Sequence, residues 1–395
     1  MSFDIALSGI QAINQSLETT SNNIANAATY GFKSSRANFA SVYAGTAANG
    51  VQVGSLTQTI GQNGSTQTTG RALDAAIDGR GFFVSRDPQG GLTYTRVGIF
   101  STDTKGFLID SNGKKVQGYG PANGGALGTM GDIQVPTGQI PAVATTKVNF
   151  VGNLSSDWKP IAGTPNPGDS TTYNMVKQSV AYDSLGTQHT VSSYFVKTGD
   201  NTVDVYYAVD SAATPTKGAT LTFDDKGALQ STAPAAINVG IAATGGAAAS
   251  TVAFDYTGTT RFAGEATTTT NRSDGYASGA FVGVELSKDG SLVAKYSNDQ
   301  SQVVGTVAVA TFPNEGGLQA ISDTSWTANA DSGAALYSVP GVGLSGKLNT
   351  GALEGSNVDI TSELVGLMTS QRNYQANSKV LTTESQMMQA LMQAL

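Results

Sequence analysis

Residues 360–377 read ITSELVGLMTSQRNYQAN, and the pattern continues without a proline to Leu395. Stepping alternately by four and three residues gives Ile360, Leu364, Leu367, Gln371, Tyr374, Ser378, Leu381, Ser385, Met388, Met392 and Leu395, of which eight in eleven are apolar. This is the a/d stripe of a heptad repeat and predicts a helix about 54 Å long. Asp359 suits an N-cap, and Glu363 lies in the first turn, where the helix dipole favours a carboxylate. The only charges between Ile360 and Leu395 are Glu363, Arg372, Lys379 and Glu384. A free two-stranded coiled coil displays many Glu and Lys at its outer positions. A helix apolar on one side and uncharged-polar on the other fits a place surrounded by other helices, between subunits of an assembly. An ordinary intramolecular helical hairpin is the alternative.

The N-terminus repeats the pattern. Phe3, Leu7, Ile10, Asn14, Leu17, Ser21 and Ile24 follow the same spacing, and five of the seven are apolar. Each terminal seam is therefore expected to find its simplest partner in the other. The polar seam positions Asn14, Ser21, Gln371, Ser378 and Ser385 are expected to fix register at some cost in stability.

Composition narrows the function. The chain has 395 residues, 13% of them charged, with 48 Gly and a net charge of -7. So little charge gives little self-repulsion and favours association with further copies. The acidic balance and the lack of a basic run argue against nucleic acid. There is no Cys and one His, His189, so neither a disulfide nor a Cys- or His-rich metal site is expected. No cofactor is expected. No apolar run is long enough to span a membrane, and the N-terminus lacks the basic and continuous apolar regions of a secretory signal, so export would keep it.

Between the ends the chain reads as β: short alternating runs separated by Gly-rich turns. GFFVSRDPQGGLTYTRV predicts a hairpin through Asp87–Gly91, and FLIDSNGKKV one through Asn112-Gly113. Residues 179–209 predict three strands with turns at Ser184–Gly186 and Gly199–Asn201, LTFDDKGALQ another hairpin, FVGVELSKDGSLVAKYS a turn at Asp289-Gly290, and VVGTVAVATF one buried strand. Residues 37–70, poor in large apolar groups, read as a loop-rich connector. Residues 211–275 read as weakly cored β or flexible surface. GVGLSGKL, 341–348, resembles a phosphate-binding loop but has Leu348 where the metal-binding hydroxyl belongs. Asp224-Asp225 fits a turn rather than a carboxylate pair. No nucleophile–base pair or ligand cluster emerges, so no enzyme is expected.

NNIANAATYGFKSSRANF (22–39), GRALDAAIDGRGFFVSRD (70–87) with the TYTRVGIFSTDTKGFLIDSNGKKVQGY that follows, and the terminal stretch beginning GALEGSNVDI together resemble the rod, hook and hook-associated family of bacterial flagellar axial proteins. The length and the large middle insertion resemble its hook members. The resemblance implies mainly β, nested, discontinuous domains with long helical termini paired as a coiled-coil-like bundle. These would be a terminal helical polymerisation domain (1–28 and 357–395), an extended linker (29–70), an inner β domain (71–145 and 285–356) and an outer β domain (146–284). It marks Asn26, Thr29, Gly31, Phe32 and Lys33 as the motif where the chain leaves its first helix. It also implies a homopolymer forming a short curved extracellular tube that passes torque from motor to filament. Partners would be other axial proteins (rod, hook cap, hook–filament junction) and the flagellar export apparatus, with no nucleic acid and no membrane insertion. A distal rod protein and a surface adhesin are the competing readings.

Overall fold

Asp-x-x-Gly is the punctuation of this chain. At Asp87, Asp103, Asp110, Asp183 and Asp224 the carboxylate Oδ1 accepts the backbone N–H groups two and four residues on. The backbone N–H of the glycine three residues on donates to the carbonyl of the same Asp. Each of these glycines, Gly90, Gly106, Gly113, Gly186 and Gly227, has positive φ. The side chain thus serves two amides that the turn leaves without strand partners, and glycine supplies the left-handed residue that closes the hairpin.

The computed structural model describes residues 2–44, 47–121 and 127–394. It is mainly β, with helices α1 (Ser2–Ala25) and α2 (Ile360–Ala394) near its two ends. The chain divides into two compact units: Met1–Thr137 with Gly283–Lys295 and Ser301–Leu395, and Gly138–Val282 with Tyr296–Gln300.

In the first unit, strands β1 (Ser35–Ala44) and β2 (Ala47–Gln58) form a long antiparallel ribbon. This corrects the expectation of a loop-rich connector over 37–70. The strands do not need a hydrophobic core, because the ribbon is laced by its own ladder and by Asn38, whose amide donates to Ser55 and Thr57 Oγ atoms at 3.1 Å. Short strands β3 (Thr66–Thr68) and β4 (Ala75–Asp78) pair with Ala352–Glu354 and Lys347–Thr350, returning the end of the β region to its beginning. The hairpin Phe82–Arg86/Leu92–Thr95 lies over a core of Ile60, Phe82, Val84, Tyr94, Phe312 and Trp326. VVGTVAVATF is two strands, Ser301–Val307 and Val309–Thr311, broken at Ala308. Each half pairs with different neighbours, so one continuous strand is not formed. Residues 341–346 form turns with positive φ at Gly341 and Gly343, followed by a strand, not a helix.

The second unit is a β-sandwich. A four-stranded sheet (Ile237–Ile241, Ser250–Asp255, Lys147–Asn153, Thr267–Ser273) packs on a five-stranded meander (Met175–Tyr182, Gln188–Lys197, Thr202–Val209, Thr216–Phe223, Leu229–Ala233). The stretch 211–275 is not weakly cored: Leu221, Phe223, Ile237, Val252, Phe254 and Tyr256 are all buried in the shared core. The expectation failed because these residues are spaced out by Thr, Ala and Gly on the solvent face, which dilutes the average without emptying the inward positions.

His189 is buried in this sandwich. Its Nδ1 lies 2.6 Å from Asp210 Oδ2 and its Nε2 3.5 Å from Asp183 Oδ2. The hydrogen bond that its Nδ1–H donates to Asp210 raises its pKa, burial opposes, and Asp183 adds to the rise. Among the described residues no group of His, Asp and Glu is arranged to hold a metal ion.

Candidate assembly surface and its ionic anchor

α2 begins at an Asp359 cap: Oδ1 accepts the N–H groups of Thr361 at 2.9 Å and Ser362 at 3.3 Å. These bonds hold the Asp359 carboxyl below the usual range. The two helices pack together, antiparallel. Gly9 abuts Asn377, where an added Cβ would lie 3.1 Å from Nδ2. Asn23 Nδ2 donates to Glu363 Oε1 at 2.8 Å. Asn23 also donates to the Ser35 carbonyl and accepts its N–H, tying α1, α2 and the foot of the ribbon to one side chain. On its other flank α1 meets the ribbon, where Ser8 Oγ accepts the N–H of Val51 at 3.2 Å.

The expected seams enter this contact only in part. The buried line on α1 is Ala6, Gly9, Ala12, Thr20 and Asn23. It runs largely one residue ahead of the predicted stripe, a rotation of about 100°. Small side chains let the backbones of α1, α2 and the ribbon approach, and the larger groups turn outward. Phe3, Leu7, Asn14 and Ser21 are exposed, while Ile10, Leu17 and Ile24 are half-buried. On α2, Leu367, Ser378 and Leu381 are half-buried beside Glu363, Ser370 and Asn377. Ile360, Leu364, Gln371, Tyr374, Ser385, Met388 and Met392 are exposed, and Leu395 lies outside the described residues. From Ser385 to Gln393 every side chain of α2 is exposed. The ribbon adds Phe39, Tyr43 and Leu56 to the exposed apolar surface.

Beneath the helices lies a buried ion cluster. Lys33 Nζ contacts Glu354 Oε1 and donates to the Gln62 carbonyl, each at 2.6 Å. Arg96 reaches the other oxygen, Oε2, at 3.3 Å and stacks over the Phe82 ring at 5.2 Å. All three charged side chains are at most 2% exposed. Burial lowers the pKa of both cations, and Glu354 pulls each the other way. One carboxylate therefore holds two cations from distant parts of the chain. The Gly64 N–H donates to the same Oε1 at 3.0 Å.

The predicted exit motif surrounds this cluster. Asn26 Nδ2 donates back to the Asn22 carbonyl, and Thr29 Oγ1 donates to Asn26 Oδ1, finishing the helix. Gly31 turns with φ +68°, its N–H on the Glu354 carbonyl, and a Cβ there would lie 2.9 Å from Val97 Cγ2. The Phe32 carbonyl accepts the N–H of Asn357, and Asn357 in turn caps Ser34, Thr59 and Gln62. Glu354, Arg96, Asn357 and Asn23 were not singled out in the sequence. Glu354 ends the short strand Ala352–Glu354 and Arg96 directly follows the strand Leu92–Thr95 in a charge-poor chain, which marks them as unusual, but nothing local says that they meet.

Four family models cover most of the chain: the flagellar basal body rod protein (3–33), the flagellar hook protein FlgE/F/G D1 domain (76–155), the flagellar basal body protein FlaE D2 domain (153–276) and the flagellar basal body rod FlgEFG protein C-terminal region (349–394). The flagellar hook protein FlgE of Salmonella typhimurium is 38% identical, over 99% of both chains. The chain belongs to the flagellar hook protein family. The hook protein FlgE of Escherichia coli K12 is 37% identical over 99% of both chains, and that of Treponema pallidum 30% over 98% of this chain and 97% of its own. The crystal structure of Helicobacter pylori hook protein FlgE2 shares the fold, with a TM-score of 0.53 at 14% identity over 73% of this chain and all of that one. As a hook-family member this chain is a structural subunit of the flagellar hook. No described helix is long and apolar enough to cross a membrane.

Proposed function

We propose that copies of this hook subunit polymerise through the outward faces of α1 and α2, and that the tube so formed is a curved, flexible extracellular coupling between motor and filament. One observation carries the reading: the long run of exposed side chains on α2 that nothing in the monomer covers. Full burial of a Leu or Met side chain is worth about 1.5–3 kcal/mol. Ile360, Leu364, Met388 and Met392 therefore leave several kcal/mol to be gained by lateral contact. In this reading Phe3, Leu7, Ile10, Leu17, Ile24, Leu367, Tyr374 and Leu381 join the inter-subunit bundle, and Asn14, Gln371 and Ser378 set its register.

The proposed division of labour is a polymerisation domain from both ends (1–28 and 357–395), a linker (29–70), and inner and outer β domains of 71–145 with 285–356 and of 146–284. The proposed partners are other axial proteins of the flagellum, with export by the flagellar apparatus.

The test is a chain ended after Val358, which keeps Glu354 and Asn357 but removes α2. Sedimentation and electron microscopy are expected to show polymer from the full chain and none from the shortened one, while its β circular dichroism persists. Polymer from the shortened chain would overturn the reading.

A further inference from the structure

The sequence holds seven methionines, and four stand on α2: Met368, Met387, Met388 and Met392. They are 51%, 53%, 60% and 76% exposed. In the β region the pattern reverses: Met175 is 9% exposed and Met130 packs partly buried against the inner core. From Ser385 to Ala394 no residue is charged, so the end of α2 presents thioethers among Gln, Ala and Leu391. A thioether suits an adaptable apolar contact; a sulfoxide is polar and chiral and disrupts one.

We propose that these four methionines are a reversible oxidation site that switches off assembly of the free subunit. The inference rests on the reading that α2 is the polymerising helix. A hydroperoxide is the oxidant. A sulfur lone pair attacks its outer oxygen, the O–O bond breaks as the S–O bond forms, and the departing oxygen leaves as water or alcohol after taking up the proton. Sulfur is oxidised and the peroxide reduced. Methionine sulfoxide reductases, drawing on thiols, return each epimer to the thioether. In the polymer the same side chains are covered by neighbouring copies, so the switch acts on subunits and not on finished tube.

The experiment treats full-length monomer and preformed polymer with hydrogen peroxide, locates added oxygen by peptide mass spectrometry, and measures polymerisation by sedimentation. The expected order is Met368, Met387, Met388 and Met392 before Met130 and Met175 in monomer, with the α2 sites protected in polymer. The oxidised monomer is expected to need at least about tenfold more protein to polymerise, the factor that loss of one buried apolar side chain carries. Treatment with both reductases is expected to restore assembly. A chain with all four changed (Met368→Leu, Met387→Leu, Met388→Leu, Met392→Leu) is expected to give the same polymerisation with and without peroxide, whatever its own basal level; reductase rescue of the native chain decides the matter if that variant does not assemble. Normal polymerisation of monomer oxidised at the four sites, or equal oxidation of monomer and polymer, overturns the inference. Should the chain ended after Val358 polymerise, it is instead the assembly reading that fails.

Discussion

Two charge clusters, one of them fully buried, set the demands at the level of single residues. Among the described residues Glu354 is the sole acidic contact of both Lys33 and Arg96 within ion-pair distance. Neutralising it leaves two desolvated cations, so Glu354→Gln is expected to destabilise the first unit by about 3–5 kcal/mol, read as a fall in its urea midpoint. Lys33→Met, which leaves a matched Arg96–Glu354 pair, is expected to cost less. The same cluster sets where α2 can be removed: ending the chain near Thr350 would take Glu354 away along with α2, whereas ending it after Val358 keeps Glu354. In the second unit His189 titrates between Asp183 and Asp210. Burial raises the carboxyl of Asp183, but the N–H groups of Thr187 and Leu185 and the imidazole bring it below the usual range. Burial acts likewise on Asp210, and its bonds to His189 and Thr190 outweigh it. Because His189 has a pKa above its ordinary 6.5 when folded, it binds a proton more tightly folded than unfolded. Its contribution to stability is complete below 6.5 and is lost as pH climbs through the raised folded value. A single ring resonance reports it by NMR, and Asp210→Asn is expected to lower the midpoint; an unchanged midpoint would count against the geometry.

Among the elements, hairpins were the most legible and helix facing the least. Asp-x-x-Gly fixes a turn within five residues, so the hairpins at Asp87, Asp110 and Asp224 could be placed without knowing what they pack against. The glycines are not equivalent. Gly113 has positive φ and open space around a Cβ, so Gly113→Ala is expected to cost about 1–2 kcal/mol, the left-handed penalty alone. At Gly106 the Cβ would also fall 2.4 Å from the Val135 carbonyl oxygen, so Gly106→Ala is expected to cost clearly more; thermal melts of the two variants compare them directly. The helices were legible as helices, since spacing, cap and the absence of proline are local. Which stripe faces inward was not. A heptad of large apolar residues normally marks the intramolecular seam, and here Ala6, Gly9 and Ala12 take that place while Phe3 and Leu7 point outward. The choice depends on how closely α1, α2 and the ribbon approach, a property of three elements together. The ribbon itself was missed because its stability lies in backbone pairing and Asn38, not in buried apolar side chains.

The whole molecule is organised by what the chain closes late. The sandwich of the second unit has a core drawn wholly from residues between Val148 and Ala266, and its ends are drawn together by the Val143–Tyr276 bridge. Residues 143–276 made alone are expected to unfold in one cooperative transition with His189 still buried; a broad, non-cooperative melt would show that the core is incomplete. The first unit is different. Its strands at 66–78 wait for 347–354, Lys33 waits for a carboxylate 321 positions later, and Asn23 for one 340 positions later. For a chain appearing from its N-terminus, the helical end is therefore the last part to set. The sandwich is finished while α1 still lacks its antiparallel partner and the buried lysine its counter-ion. In the proposed assembly a half-delivered subunit would lack one of its two helical faces, so chain order would act as a clock on the growing tube.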